Sequence, residues 1–186
     1  MAELYVALLH YPVYDKNHAI VTTSITNIDV HDIARTCRTY DAAAFYVITP
    51  VDGLRGLARK ILRHWREGDG LAYNPNRTEA LDRVQLERTL EGAEIDIERR
   101  TGKVPVLIAT SARRLPKARP FDEIKAEIMA SDQPHLLLLG TGWGLIDELI
   151  ARCTIHLESI DGPGSYNHLS VRAAAAILLD RLLGTR

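Results

Sequence analysis

The strongest constraint on this chain is an alternation: apolar runs of strand length recur along it, separated by segments with helical periodicity. Residues 4–9, 45–49, 104–110, 135–139 and 154–157 are the clearest runs. The first and the 135–139 run are apolar almost throughout instead of alternating, which is the pattern of strands buried on both faces. The chain therefore reads as α/β, a mostly parallel sheet with helices on both faces.

The segments between the runs fill in the organisation. Pro12 breaks the first run, and the polar stretch to about Asn27 suits a small hairpin or a loop. Val30, Ile33, Ala34 and Cys37 then fall on one helix face, leaving His31, Arg35 and Arg38 on the opposite one. Leu54, Leu57, Ala58, Ile61, Leu62 and Trp65 form the apolar stripe of a second helix. Gly68, Gly70, Asn74, Pro75 and Asn76 make a breaker-rich loop, followed by a short amphipathic piece over 78–81 and a strand near 84–86. A charged helix over 91–100 stops at Gly102, a favoured C-terminal residue. Helices are also expected over 121–130, up to about Arg152, and from Leu169 onward. No shift in composition divides the series, so residues 1–186 read as a single domain.

Charge and composition narrow the function classes. The 23 Lys+Arg against 24 Asp+Glu give a net charge of -1, which argues against a domain coating nucleic acid through bulk basicity. No apolar stretch approaches the ~20 residues of a membrane span, and no basic segment precedes an apolar one at the N-terminus. With Cys37 and Cys153 the only cysteines, a cytoplasmic setting is expected, with both thiols packed as small core residues. The seven histidines show no metal-ligand spacing, and no metal is expected.

In an open parallel sheet, ligands bind beyond the carboxyl ends of the strands. Three segments there have unusual composition. Thr110, Ser111 and Ala112 follow one strand; Gly140, Thr141, Gly142, Trp143, Gly144 and Leu145 follow another; Asp161, Gly162, Pro163, Gly164, Ser165, Tyr166 and Asn167 follow a third. Glycines let a ligand approach the main chain closely because no Cβ intervenes. A dinucleotide fingerprint fails in detail, since its third glycine would fall at Leu145, and the G-x-x-x-x-G-K-S/T phosphate loop is absent. What these residues leave is nucleotide binding without phosphate clamping.

The stretches 136–145 (LLLLGTGWGL) and 160–177 (IDGPGSYNHLSVRAAAAI) resemble the two C-terminal motifs of the SPOUT superfamily of S-adenosylmethionine-dependent RNA methyltransferases. Residues 28–38 (IDVHDIARTCR) resemble the first motif of its SpoU branch, and nearly the whole chain is similar to a bacterial SPOUT family of RNA methyltransferase-like proteins. The resemblance implies a C-terminal trefoil (α/β) knot, two chains as the working unit, and S-adenosyl-L-methionine bent into the knot. It places the cofactor on main-chain groups of Thr110, Ser111 and Ala112, of Gly140 through Leu145, and of the 160–169 segment, including Ile160, Gly162, Gly164, Tyr166, Asn167, His168 and Leu169. Arg35 stands at the place of the branch's catalytic arginine. Asn167 and His31 are the second candidates for handling the substrate. The chain departs from the branch at Asp29 and His31, where the first motif has Asn and Gly, and at Gly142, where the second has Glu.

The implied activity is methylation of tRNA or rRNA at a ribose 2′-oxygen or a base nitrogen. The competing reading, motivated by those departures, is a catalytically silent S-adenosylmethionine- or RNA-binding protein. Arg55, Arg59, Lys60, Arg63 and Arg66 form a basic stripe opposite the apolar one on the second helix. Like charges four residues apart cost roughly 0.2–0.5 kcal/mol a pair, and an RNA backbone would relieve that. Arg113 and Arg114, with Lys117 and Arg119, form a second basic cluster beside a cofactor loop, so the two could make a phosphate track. The bland alternative for both is a solvated face neutralised by acids elsewhere. The small, apolar last helix is expected to present a dimer surface.

Overall fold

The computed structural model describes residues 3–185. The elements in chain order are β1 (Leu4–Leu9), β2 (Val13–Tyr14), β3 (Ile20–Val21), α1 (Asn27–Thr39), β4 (Phe45–Ile48), α2 (Asp52–Arg66), α3 (Asp69–Tyr73), α4 (Pro75–Leu81), β5 (Val84–Glu87), α5 (Leu90–Thr101), β6 (Val106–Ala109), α6 (Phe121–Ala130), β7 (His135–Gly140), α7 (Asp147–Arg152), β8 (Ile155–His156) and α8 (Val171–Leu183). Six strands form one sheet in the order β5-β4-β1-β7-β6-β8, every neighbouring pair parallel. β2 and β3 form a separate antiparallel hairpin.

The apolar runs become the centre of the sheet because only there are both faces covered. β1 lies between β4 and β7 and is buried along its whole length. Its residues alternate between two cores. Leu4, Val6 and Leu8 join Val30, Ile33, Ile124, Leu178 and Leu179 on one face. Tyr5, Ala7 and Leu9 join Ala93, Ile97, Leu149 and Ile150 on the other. The helical face of Val30, Ile33, Ala34 and Cys37 is buried as the periodicity requires, and the Thr26 hydroxyl caps α1 by accepting from Asp29 N at 3.2 Å. Both cysteines are buried and unlinked, and desolvation pushes each thiol up to about 12, which removes them as nucleophiles near neutral pH.

One local expectation is corrected. The segment with Gly68, Gly70, Asn74 and Pro75 is helical in two short pieces, α3 and α4. Pro75 occupies the first turn of α4, where a missing N–H costs nothing, and the Asn74 side chain caps it by accepting from Arg77 N at 3.1 Å. Breaker residues there start a helix.

The chain after β8 is gripped on both sides. Leu157 N donates to Ala109 O at 3.0 Å, while Arg119 N donates to His156 O at 2.8 Å and Glu158 N to Arg119 O at 3.0 Å. The backbone at 156–158 thus runs between Ala109 and Arg119, the residues that bound the 110–118 segment. Glu158 Oε1 accepts from Phe121 N at 2.9 Å, a carboxylate at the positive end of α6. From there the chain continues to α8, which packs on α1 and α6. Among the described residues no helix is long and apolar enough to cross a membrane.

Candidate functional site

Because the sheet is parallel, the segments after β6, β7 and β8 emerge at one edge, and side chains tie them together. Thr110 Oγ1 donates to Leu138 O at 2.7 Å, Asn167 Nδ2 donates to Ala112 O at 2.9 Å, and Arg114 pairs with Asp161 at 2.9 Å. The amide of Asn167 therefore holds the third segment against the first. Ser111 Oγ accepts from Arg113 N at 2.9 Å, closing the turn that follows β6. Tyr166 is 79% exposed, with its ring edge-on to His168.

The turn 140–145 depends on its glycines. A Cβ on Gly140 would meet Leu145 N at 2.6 Å, and Gly142 and Gly144 have φ of +61° and +101°. The hairpin lies directly against this turn: Trp143 N donates to Tyr14 O at 2.9 Å and Tyr14 N to Gly144 O at 3.0 Å. A Cβ on Gly142 would stand 2.8 Å from Tyr14 O. No side chain fits at this position under the hairpin. Trp143 is held by its backbone while 62% of its surface faces solvent.

A Cβ on Gly144, Gly162 or Gly164 would meet nothing within 4 Å. Open space beside bare main chain on two of three joined segments fits a flat, polar small molecule recognised by backbone groups, as S-adenosyl-L-methionine would be. Among the described residues no group of three or more His, Cys, Asp or Glu is placed to hold a metal ion.

Composition and spacing missed a second layer below the turn. His10, fully buried at the carboxyl end of the central strand, has Nδ1 at 3.1 Å from Thr23 Oγ1. Thr23 Oγ1 lies 2.5 Å from Thr141 Oγ1, and the Thr141 hydroxyl donates to Leu9 O at 2.9 Å. With the Thr141 proton committed to Leu9, Thr23 donates to Thr141 and His10 Nδ1–H donates to Thr23. That leaves Nε2 as the unprotonated nitrogen, buried without a hydrogen-bond partner. Desolvation lowers the His10 pKa to about 4, against a smaller opposing influence of Asp29, so the ring is neutral near pH 7. Nothing local signals this network, because Thr23 and Thr141 are 118 residues apart.

The candidate catalytic residues separate. Arg35 faces an open cleft of about 500 Å³ between α1 and α8, lined also by Asp32, Tyr40, Ser170, Arg172 and Ala173. Ser170 follows the third segment directly, so this cleft begins where that segment ends. Among the described residues Arg35 makes no ion pair. His31, one turn earlier, is turned to structural contacts, with Nδ1 2.9 Å from Asn27 O and its ring edge-on to Trp65. Asp29 is engaged by Arg172 at 3.3 Å and by the Thr26 hydroxyl at 2.6 Å.

The basic stripe of α2 is corrected at both ends. Arg55 is only 3% exposed; it donates to Thr49 O at the end of β4 and pairs with Asp52. Arg66 donates to Leu81 O at 2.6 Å and Val84 O at 2.8 Å, fastening α4 and β5 to the helix. Arg55 is thus buried against the end of β4, and the half-buried Arg66, which also pairs with Asp82 at 3.2 Å, reaches α4 and β5. Arg59, Lys60 and Arg63 are exposed and make no ion pair among the described residues. In the loop after β6, Arg113 pairs with Asp147 at 3.2 Å, Arg114 with Asp161, and Arg119 with Glu123 and Glu127 at 2.7 Å each.

Sequence and structure comparisons agree with this architecture. The family described as SAM-dependent RNA methyltransferase matches residues 3–184. A tRNA (guanine-N(1)-)-methyltransferase of Nitratidesulfovibrio vulgaris is 46% identical over 97% of this chain, which spans only 42% of that protein. An uncharacterised protein of Aquifex aeolicus is 40% identical over 96% of this chain and 87% of its own length. Among solved structures, a TrmH/SpoU tRNA modifying enzyme from A. aeolicus superposes with a TM-score of 0.55 at 14% identity, covering 98% of this chain and 73% of that one.

Proposed function

Since this chain belongs to the family of SAM-dependent RNA methyltransferases, we propose that it methylates tRNA or rRNA, holding S-adenosyl-L-methionine against the main chain of 110–112, 140–145 and 160–169. The observation that carries the reading is the joining of these three segments by Asn167, Thr110 and Arg114, with open space over Gly144, Gly162 and Gly164. When bound, the cofactor supplies an already activated methyl group. The residues are left with positioning: aligning a ribose 2′-oxygen or base nitrogen in line with that methyl and accommodating the proton the acceptor loses.

Arg35 fits the substrate role, as a permanent cation in an open cleft that adjoins the third segment; it anchors a phosphate or orients the acceptor. Asn167 positions the cofactor segments. His31 supports the α1–α2 packing through Trp65 more directly than it supports chemistry. In this reading the grip of Ala109 and Arg119 on the 156–158 backbone is the crossing point of a trefoil knot, with the C-terminal part threaded through the 110–118 loop. The small, apolar helix α8 presents the surface on which a second copy of the chain packs. A cytoplasmic homodimer acting on RNA follows, with Arg59, Lys60 and Arg63 on the RNA side.

Calorimetric titration with S-adenosyl-L-methionine, followed by transfer of labelled methyl into total RNA from a strain lacking the protein, tests the reading, and nucleoside analysis of the product identifies the acceptor. Binding and transfer, with transfer lost in Arg35→Ala, are expected. Binding without transfer selects the silent binding protein, a reading favoured by the engagement of Asp29 and His31 in packing. No binding overturns both.

A further inference from the structure

We propose that the tip of the β2–β3 hairpin and the glycine turn after β7 together form a subsite for one unpaired RNA nucleotide. Its base stacks on the Trp143 indole and its phosphate is held by the Lys16 ammonium. The inference rests on the RNA reading above, and deepens it by naming the form of RNA recognised.

The indole is presented, not left loose. Trp143 lies between two glycines with positive φ, its own N–H is bound by Tyr14 O, and Gly144 N donates to Thr141 O at 3.0 Å while Gly144 O accepts from Tyr14. The chain thus fixes the backbone on both sides of a large aromatic ring and leaves 62% of that residue exposed. Burying it would have been the ordinary way to use a tryptophan.

The hairpin tip is equally fixed. Asp15 Oδ1 accepts from Asn17 N at 2.7 Å and Ala19 N at 2.9 Å, Asp15 N donates to Ala19 O at 2.9 Å, and His18 N donates to Asp15 O at 3.1 Å. These bonds hold His18 at φ +60°, and its ring rests 4.9 Å from that of Tyr14. They also engage Oδ1 of the Asp15 carboxylate within the turn. Lys16 is exposed and makes no ion pair among the described residues. It lies two residues beyond Tyr14, whose carbonyl accepts from Trp143 N, so the Lys16 Cα is at most about 7 Å from that of Tyr14. An exposed ring and an exposed cation carried by two hydrogen-bonded turns are complementary to a base and a nearby phosphate. Bases in a duplex show no free face, so the complementary form is a looped, terminal or flipped-out nucleotide.

The test uses the full chain and two probes, a single-stranded RNA hexamer and a blunt RNA duplex, with binding followed by anisotropy and by tryptophan emission. The hexamer is expected to bind more tightly than the duplex and to quench the emission, with the quench lost in Trp143→Phe, which retains Trp65. Trp143→Ala should weaken hexamer binding by about tenfold, with Trp143→Phe restoring most of it, as expected for stacking. Lys16→Ala should weaken binding about threefold or more while leaving the quench at saturation. Quenching by S-adenosyl-L-methionine alone, with no further change on adding hexamer, would assign the indole to the cofactor and overturn the subsite. So would equal affinity of wild type and Trp143→Ala with unchanged thermal unfolding. If the wild type binds the hexamer through Trp143 but transfers no methyl, the enzymatic reading fails and the subsite stands.

Discussion

Arg59, Lys60 and Arg63 on α2 face solvent without an acid, whereas Arg113, Arg114 and Arg119, an equally basic run, are each held by a carboxylate. The acids of the second group come from α6, from the first turn of α7 and from the segment after β8. The sheet edge brings all of them together, although none looks like a partner of the run except the two on α6. A cluster of arginines on one helix and a cluster in one loop therefore have different meanings. The helix exposes whatever its apolar face does not need, while a loop at a crowded edge finds counter-charges. Exposed pairs of this kind contribute only about 0–1 kcal/mol each to stability, so their main consequence is to cancel charge near the segments 110–112 and 160–169.

The comparison breaks most visibly under salt. Replacing Arg59, Lys60 and Arg63 by alanine should lower the slope of log RNA affinity against log salt by about two to three and weaken binding about a hundredfold near 0.1 M salt. Replacing Arg113, Arg114 and Arg119 should change the slope by less than one. The reverse ranking in a salt titration would show that the paired arginines release their acids to bind RNA.

Arg55 sharpens the contrast within α2 itself. Arg55→Ala removes a buried donor from Thr49 O and should cost about 2–3 kcal/mol in urea unfolding, combining an unsatisfied carbonyl with lost packing. Arg59→Ala, on the exposed face, should stay within about 0.5 kcal/mol. Equal effects would mean that Arg55 is not fastened to the end of β4.

The turn after β7 differs from α2 also in being held from below by neutral groups. His10 loses its proton affinity on burial, its pKa falling from 6.5 to about 4. The unfolded chain therefore binds a proton more readily than the folded one between these values, so stability present above about pH 6.5 is lost as pH falls toward 4. Burial lowers the pKa of His135 as well, and it adds in the same direction. Unfolding free energy should decline by about 3 kcal/mol over that window, and by clearly less in His10→Asn. Thr23→Val, which removes the hydroxyl between His10 and Thr141, should raise amide hydrogen exchange at Thr141 and Gly144, while Thr23→Ser should not.

What was legible in sequence follows the range of the interactions involved. The runs that became β1 and β7 and the apolar face of α1 depend on periodicity within a few residues, and they appear where expected. The meeting of the segments after β6, β7 and β8 was legible as well, because parallel strands send all their carboxyl ends to one edge. The His10–Thr23–Thr141 chain was hidden, since it joins positions that meet only after the strands pair. Burial of Arg55 was hidden for a related reason: helical periodicity placed it on the polar face, but the end of β4 supplies an acceptor above that turn. The helices α3 and α4 were obscured because Gly, Asn and Pro mark both loops and helix starts, and only the Asn74 cap distinguishes them.

The smallest effect bears most directly on why charge is cancelled at this sheet edge. Asp147→Asn and Asp161→Asn each leave geometry close to native but remove the counter-charge of Arg113 and Arg114. If the pairs serve to keep nonspecific RNA backbone away from the segments 110–112 and 160–169, the double variant should bind RNA about three- to tenfold more tightly in general, duplex and hexamer alike. Its salt slope should rise by about one to two, reflecting two released cations. Selectivity for the hexamer should fall, because added phosphate contacts carry no information about base exposure. A double variant with unchanged affinity and slope would mean that the arginines stay unavailable even without their acids. The difference between the two basic regions would then lie in backbone placement and not in pairing.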